Sequence, residues 1–126
     1  MKIMIISRTP FRISLFGGGS DFPNYYNNHT GKVIGFSFNR YNYILFNRKF
    51  QRNEFKYNIN YSLNEKKNTI NQIEHRSVRE TLKYFKFKEP FELHYNGELP
   101  ARTGLGTSSA FTVGLCNIMN FIKNKK

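Results

Sequence analysis

The chain has no tryptophan, one cysteine (Cys116), two alanines and one aspartate (Asp21). A lone cysteine excludes an internal disulfide framework and any multi-cysteine metal site, and suits a reducing cytoplasm. Within its apolar run, Cys116 is expected as a small buried residue. No apolar stretch approaches the roughly 18–20 residues needed to span a bilayer. The N-terminal run Ile3–Ile6 is stopped by Arg8 and lacks a small-residue cleavage site, so no secretory signal is expected. Acidic residues are scarce as well: Asp+Glu is 8 against Lys+Arg 20, a formal charge of +12 in 126 residues. A basic, aromatic-rich domain is the usual footprint of nucleic-acid binding. Asn, Lys, Ile, Phe and Tyr share A/T-rich codons, however, and they dominate this composition. The basic residues are scattered apart from the tail Lys123–Lys126, so charge alone makes nucleic acid the weaker expectation.

The patterning predicts one α+β unit without repeats or an internal linker. Residues 3–16 read as two short strands joined at Arg8-Thr9-Pro10, and Pro10, which lacks an N–H, favours an edge or a strand start. Gly17-Gly18-Gly19-Ser20-Asp21 interrupts regular structure, and a turn-rich segment with one helical turn follows at Pro23–Thr30. Lys32–Phe38, Arg40–Phe46 and Phe55–Tyr61 read as strands, and Leu63–Asn68 as a loop. Apolar residues recurring from Ile70 to Phe85 predict a helix over 69–86, capped by Asn68-Thr69. Phe91–Tyr95 is a further strand, turned by Asn96-Gly97, and Thr107–Ile122 an apolar helix.

The segment Pro100-Ala101-Arg102-Thr103-Gly104-Leu105-Gly106-Thr107-Ser108-Ser109 leads from a strand through glycines into that helix. Loop glycines let backbone N–H groups converge, and the helix start adds unpaired donors and the positive end of its dipole. Together these favour an anion, and a hydroxyl from Thr107, Ser108 or Ser109 can reach a phosphate oxygen or its Mg²⁺. The alternative is a plain capped helix after a glycine turn. No G-x-x-x-x-G-K-[ST] is present, so a P-loop of the common kind is excluded.

Pro100-x-x-x-Gly104-Leu105-Gly106-Thr107-Ser108-Ser109-Ala110 resembles the central motif of the GHMP kinases, the superfamily named for galactokinase, homoserine kinase, mevalonate kinase and phosphomevalonate kinase. Arg8-Thr9-Pro10-Phe11-Arg12-Ile13-Ser14-Leu15-Phe16-Gly17-Gly18-Gly19-Ser20-Asp21 is similar to their first motif, in the form found in the heptose 7-phosphate kinase branch. His75-Arg76-Ser77-Val78-Arg79-Glu80 also looks like that branch.

The resemblance implies an N-terminal GHMP-kinase domain similar to a ribosomal-protein domain, with a mixed sheet, helices on one face and an incomplete fold. It implies transfer of the γ-phosphoryl group of ATP, with Mg²⁺, to the anomeric hydroxyl of a sugar or sugar phosphate. Pro100, Arg102, Thr103, Gly104, Leu105, Gly106, Thr107, Ser108 and Ser109 would hold ATP, and Ser108 would contact the metal, with Ser109 as the other choice. Arg12 would act on the reacting phosphoryl, and Gly18, Gly19, Ser20 and Asp21 would bind the substrate. Against the usual pattern, Arg102 stands where a small residue is common and Thr107 replaces a serine. Residues 1–126 are expected to be an ATP- and sugar-binding part, inactive alone, whose C-terminal half would come from further chain or a second polypeptide. Another sugar-1-kinase of galactokinase or fucokinase type is an alternative, as is a basic RNA-binding module of related fold. His29, His75 and His94 have no ligand spacing, so no metal constellation is expected.

Overall fold

The structure, a computed structural model, describes residues 4–49, 54–100 and 104–124. Strand β1 (Met4–Phe16) and strand β2 (Ile34–Arg48) form a long antiparallel hairpin around helix α1 (Pro23–Tyr26). Strands β3 (Tyr57–Asn60) and β4 (Asn64–Lys67), helix α2 (Arg76–Tyr84), strand β5 (Phe91–Gly97) and helix α3 (Thr107–Asn124) follow. The sheet order is β1-β2-β5-β3-β4; β3 runs parallel to β5 and the other pairs are antiparallel.

Alternation decides which face is buried. On β2, Asn42, Ile44 and Phe46 point inward; on β5, Phe91 and Leu93; on β3, Tyr57 and Ile59. Helix α3 covers this face with Phe111, Leu115, Ile118, Met119 and Ile122, and α2 adds Val78 and Leu82. Phe46 stacks on Phe91 at 5.0 Å between ring centroids, and Phe87 closes the cluster edge-on to Phe46. Gly114 sets how close α3 comes to the sheet. A β-carbon there would meet Thr9 Oγ1 at 2.8 Å, Ser7 Oγ at 3.0 Å and Ile44 Cδ1 at 3.2 Å. Beneath this crossing Asn42 is fully buried, and both of its amide atoms lack a hydrogen-bond partner.

Several elements differ from the sequence expectation. The two strands expected over 3–16 are one strand. The break shows instead as a register shift between Pro10 and Arg12 on the edge of the sheet, where the missing N–H of Pro10 leaves no ladder bond unmade. Lys32–Phe38 and Arg40–Phe46 likewise merge into β2, and Asn96-Gly97 continues β5 rather than turning the chain. The expected loop 63–68 contains β4, held antiparallel against β3. The expected helix 69–86 is a 3₁₀ turn over Ile70–Gln72, an extended Ile73, and then α2. Cys116 is half-buried, not enclosed.

Candidate functional site

Two segments far apart in sequence meet where α3 begins. Beside the register shift, on the edge of the sheet, the Arg12 N–H donates to the Leu105 carbonyl at 3.4 Å. Gly106 adopts φ +71°, a left-handed conformation that glycine tolerates and L side chains resist. A β-carbon on Gly106 would lie 3.0 Å from Cγ and 3.6 Å from Nε of Arg12, so the arginine stem crosses the bare glycine. Gly104 is also left-handed, at φ +74°. The Arg12 guanidinium is exposed and donates to Ser14 Oγ at 2.5 Å. Helix α3 starts directly after these glycines; Ala110 N–H closes its first turn on the Gly106 carbonyl at 2.8 Å. Its first N–H groups and its dipole thus open beside a guanidinium, an arrangement suited to a phosphate.

Beside the helix start lies a hollow of about 330 Å³ lined by Tyr61, Ser62, His75, Tyr95, Thr107, Ser108 and Phe111. Its walls are aromatic. Tyr61 meets His75 edge-on at 4.8 Å, His75 lies 4.8 Å from Phe111, and Phe111 packs against Tyr95 at 5.3 Å. Thr107 and Ser108 supply hydroxyls where the hollow reaches the glycine loop. A flat apolar group carried on a phosphate chain fits such a shape.

One carboxylate fixes the aromatic wall. Glu65, on β4, is 4% exposed and accepts from Tyr61 Oη at 2.8 Å, Glu74 N at 2.6 Å and His75 N at 2.9 Å. Burial pushes the Glu65 carboxyl up, but the three donors outweigh it and the net shift is downward. Burial, with the Glu65 carboxylate as hydrogen-bond partner, pushes Tyr61 up to about 12. Burial lowers His75, whose Nδ1 accepts from Val78 N at the start of α2.

The first glycine run forms a separate turn. Gly17 and Gly19 are left-handed, at φ +88° and +93°. The Asp21 carboxylate accepts from Gly19 N at 3.1 Å, and Ser20 Oγ donates to the Gly17 and Lys32 carbonyls at 2.8 and 3.0 Å. Gly18 is open to solvent. The turn's hydrogen bonds run within itself and to Lys32, so Asp21 serves the turn here. Arg102 and Thr103 lie outside the described residues, and Pro100 is exposed at the edge of the loop. Ser108 and Ser109 are both exposed on the first turn of α3, and Ser108 faces the hollow. No group of three or more His, Cys, Asp or Glu able to hold a metal occurs among the described residues. Tyr61, Ser62 and Tyr95 were not expected from sequence as site residues. The alternation of Phe55–Tyr61 puts Tyr61 on one face with Phe55, Tyr57 and Ile59, but only the fold brings it to His75.

A solved structure of a D-glycero-D-manno-heptose 1-phosphate kinase from Bacteriodes thetaiotaomicron superposes with a TM-score of 0.70 at 23% identity, over 90% of this chain and 40% of that one. The mevalonate kinase of Methanococcus jannaschii superposes with a TM-score of 0.69 at 20% identity, over 98% and 42%. At these identities the likeness is one of fold, and the chain spans about 40% of the length of the structures it matches. No curated protein matches the sequence. No helix among the described residues is long and apolar enough to cross a membrane. A family model for the N-terminal domain of GHMP kinases matches residues 57–126, more than half of the chain and including α3 and the glycines before it, so the chain belongs to that family.

Proposed function

We propose that the chain is the nucleotide-binding part of a kinase that transfers the γ-phosphoryl group of ATP to a sugar or sugar phosphate at its anomeric hydroxyl, with a heptose as the substrate class. The observation that carries this reading is the crossing of Arg12 over Gly106 at the start of α3, because it joins the two kinase-like motifs at one point. ATP supplies the transferable phosphoryl group, and Mg²⁺ offsets its charge. The N–H groups of Gly106 to Ser109 hold phosphate oxygens, and the Ser108 hydroxyl is the chain's contact to the metal. Arg12 swings from Ser14 onto the phosphates, where a fixed guanidinium favours charge that grows toward the transition state. The hollow walled by Tyr61, His75, Tyr95 and Phe111 takes the adenine ring. Gly18, Gly19, Ser20 and Asp21 bind the sugar once the Asp21 carboxylate turns from Gly19 N to substrate hydroxyls. A cytoplasmic location goes with ATP use. A base and a cover over the site would come from polypeptide beyond these residues, in the same chain or a second one.

The test is ATP binding to the 126-residue chain, measured calorimetrically with Mg²⁺. Binding that weakens in Gly106→Ala and Ser108→Ala while the fold persists supports the reading; equal binding by wild type and both variants refutes the phosphate loop. Substrate class is tested by phosphorylation of heptose 7-phosphate against free hexoses in an active assembly containing the chain. Turnover of the free hexose alone would move the assignment to a galactokinase- or fucokinase-like enzyme.

A further inference from the structure

A second concave site lies at the opposite end of α2 from His75. Its hollow, about 500 Å³, is walled by Lys56, Lys83, Lys86, Lys88, Asn68 and Asn71 over an apolar floor of Ile70 and Leu82. Four of the chain's twelve lysines thus surround one hollow, and among the described residues no carboxylate lines it. Lys83 has one acidic neighbour, Glu80, at 3.7 Å. Asn68 holds the rim by accepting from Lys56 N at 3.0 Å.

Lysines at a helix C-terminus also have an ordinary explanation, because they favour the negative end of the dipole. That accounts for Lys83 and in part for Lys86. It does not account for Lys56 and Lys88, which come from other segments. Nor does it account for the backbone of Lys86. Phe87 N–H donates to the Leu82 carbonyl and Lys86 N–H to the Lys83 carbonyl, which closes α2 in the six-to-one and five-to-two pattern of a Schellman cap. The left-handed position of that cap, normally glycine, is Lys86 at φ +53°. Lys86 thus holds a strained position in the lining of the hollow, and strain of this kind concentrates at binding sites.

We infer that the Lys56, Lys83, Lys86 and Lys88 hollow is a binding site for a small polyphosphate-bearing anion, separate from the nucleotide site and on the far end of α2. Lysines act here as point charges that accept a flexible phosphate chain without demanding the bidentate geometry of arginine. The volume suits a nucleotide-sized molecule. Asn68 and Asn71 offer amide donors at the rim. The site shares α2 and β3 with the aromatic hollow, whose Tyr61 and His75 stand at the other ends of the same two elements.

The probe is inorganic tripolyphosphate, followed by backbone amide shifts in the 126-residue chain carrying Ser108→Ala to weaken the phosphate loop. The expected result is saturable perturbation around residues 68–71 and 83–88. Affinity should fall about tenfold or more in the double variant Lys83→Ala, Lys86→Gly and stay unchanged in Lys123→Ala. Lys86→Gly suits the left-handed cap better than lysine does, so it removes the charge without unfolding the helix end. Shifts confined to residues 104–109, or an isotherm that the double variant leaves unchanged, overturn the inference. So does retention of a single-stranded oligonucleotide at low salt, with loss between about 50 and 200 mM, while tripolyphosphate fails to bind. Failure of ATP to bind at the glycine loop would not touch this site, so the two readings fall separately.

Discussion

Replacing Glu65 by glutamine keeps the volume of a buried side chain and removes its charge. The carboxylate has two oxygens and three donors: Oε1 takes Tyr61 Oη and His75 N, and Oε2 takes Glu74 N. A glutamine amide has one oxygen. In its better orientation the oxygen keeps Tyr61 and His75, and the NH₂ group then faces Glu74 N–H, donor against donor. At least one charge-assisted bond is lost with its part-buried donor left unpaired, at a cost of about 1.5–3 kcal/mol. Tyr61→Phe removes a single bond to the same carboxylate and should cost about 1 kcal/mol. Chemical denaturation of the 126-residue chain, followed by far-ultraviolet circular dichroism, measures both. The linkage sign gives a second readout. Glu65 has a lowered carboxyl in the fold, so its contribution is full above the unfolded value, near 4.5, and is lost as pH falls through the folded value. Glu65→Gln should therefore flatten the stability loss below about pH 4.5. A Glu65→Gln chain within about 0.5 kcal/mol of wild type, with an unchanged acid limb, would refute the argument that this carboxylate fixes the wall of the aromatic hollow.

Further predictions concern neighbouring residues. His75 is lowered by burial, so the unfolded chain takes up a proton first, and stability should begin to fall as pH drops below about 6.5, a limb absent from a His75→Asn chain. Gly114→Ala should cost about 1–3 kcal/mol by forcing α3 away from Ser7 and Thr9, read as a lowered denaturation midpoint. Asn42→Leu removes two buried amide atoms that lack partners and should raise stability by about 1 kcal/mol in the same assay. In an active assembly containing the chain, Arg12→Ala should lower kcat about 10²–10³-fold while changing the KM for ATP far less, and the 126 residues alone should show no turnover.

The strands with alternating aromatic and β-branched residues, and the apolar helix α3, were legible in the sequence because their burial follows from local pattern. Glu65 explains much of what was not. A continuous helix over 69–86 would pair Glu74 N and His75 N with the carbonyls of Ile70 and Asn71. The Glu65 carboxylate takes both donors, and Ile73 is extended at ψ 121°. The same residue faces inward from Asn-Glu-Lys-Lys, a segment with little strand propensity that β3 nevertheless pairs as β4. The glycine loop and Arg12 were legible as motifs. Their meeting is a contact between segments from opposite ends of the sequence, made beside the register shift that Pro10 marks, and local pattern does not report such a contact. The hollow's aromatic side draws on the ends of β3 and α2 and on β5 and α3, four segments, so spacing along the chain had nothing to report.

The two rims of the sheet are unlike. On one side β4 ends the ladder with Asn64, Glu65, Lys66 and Lys67, only four residues long, and a strand arriving there would meet the charge of two lysines and little to bury. On the other side β1 runs for thirteen residues with Met4, Ile6, Leu15 and Phe16 exposed, and a hollow of about 480 Å³ between Met4–Ser7 and Asn117, Ile118 and Phe121. Lateral extension of this sheet is thus one-sided. Among the described residues, a strand or a second copy added along β1 would leave only the short β4 edge. Stacking into an open-ended ribbon needs two receptive margins per molecule, and the lysines of β4 withhold the second.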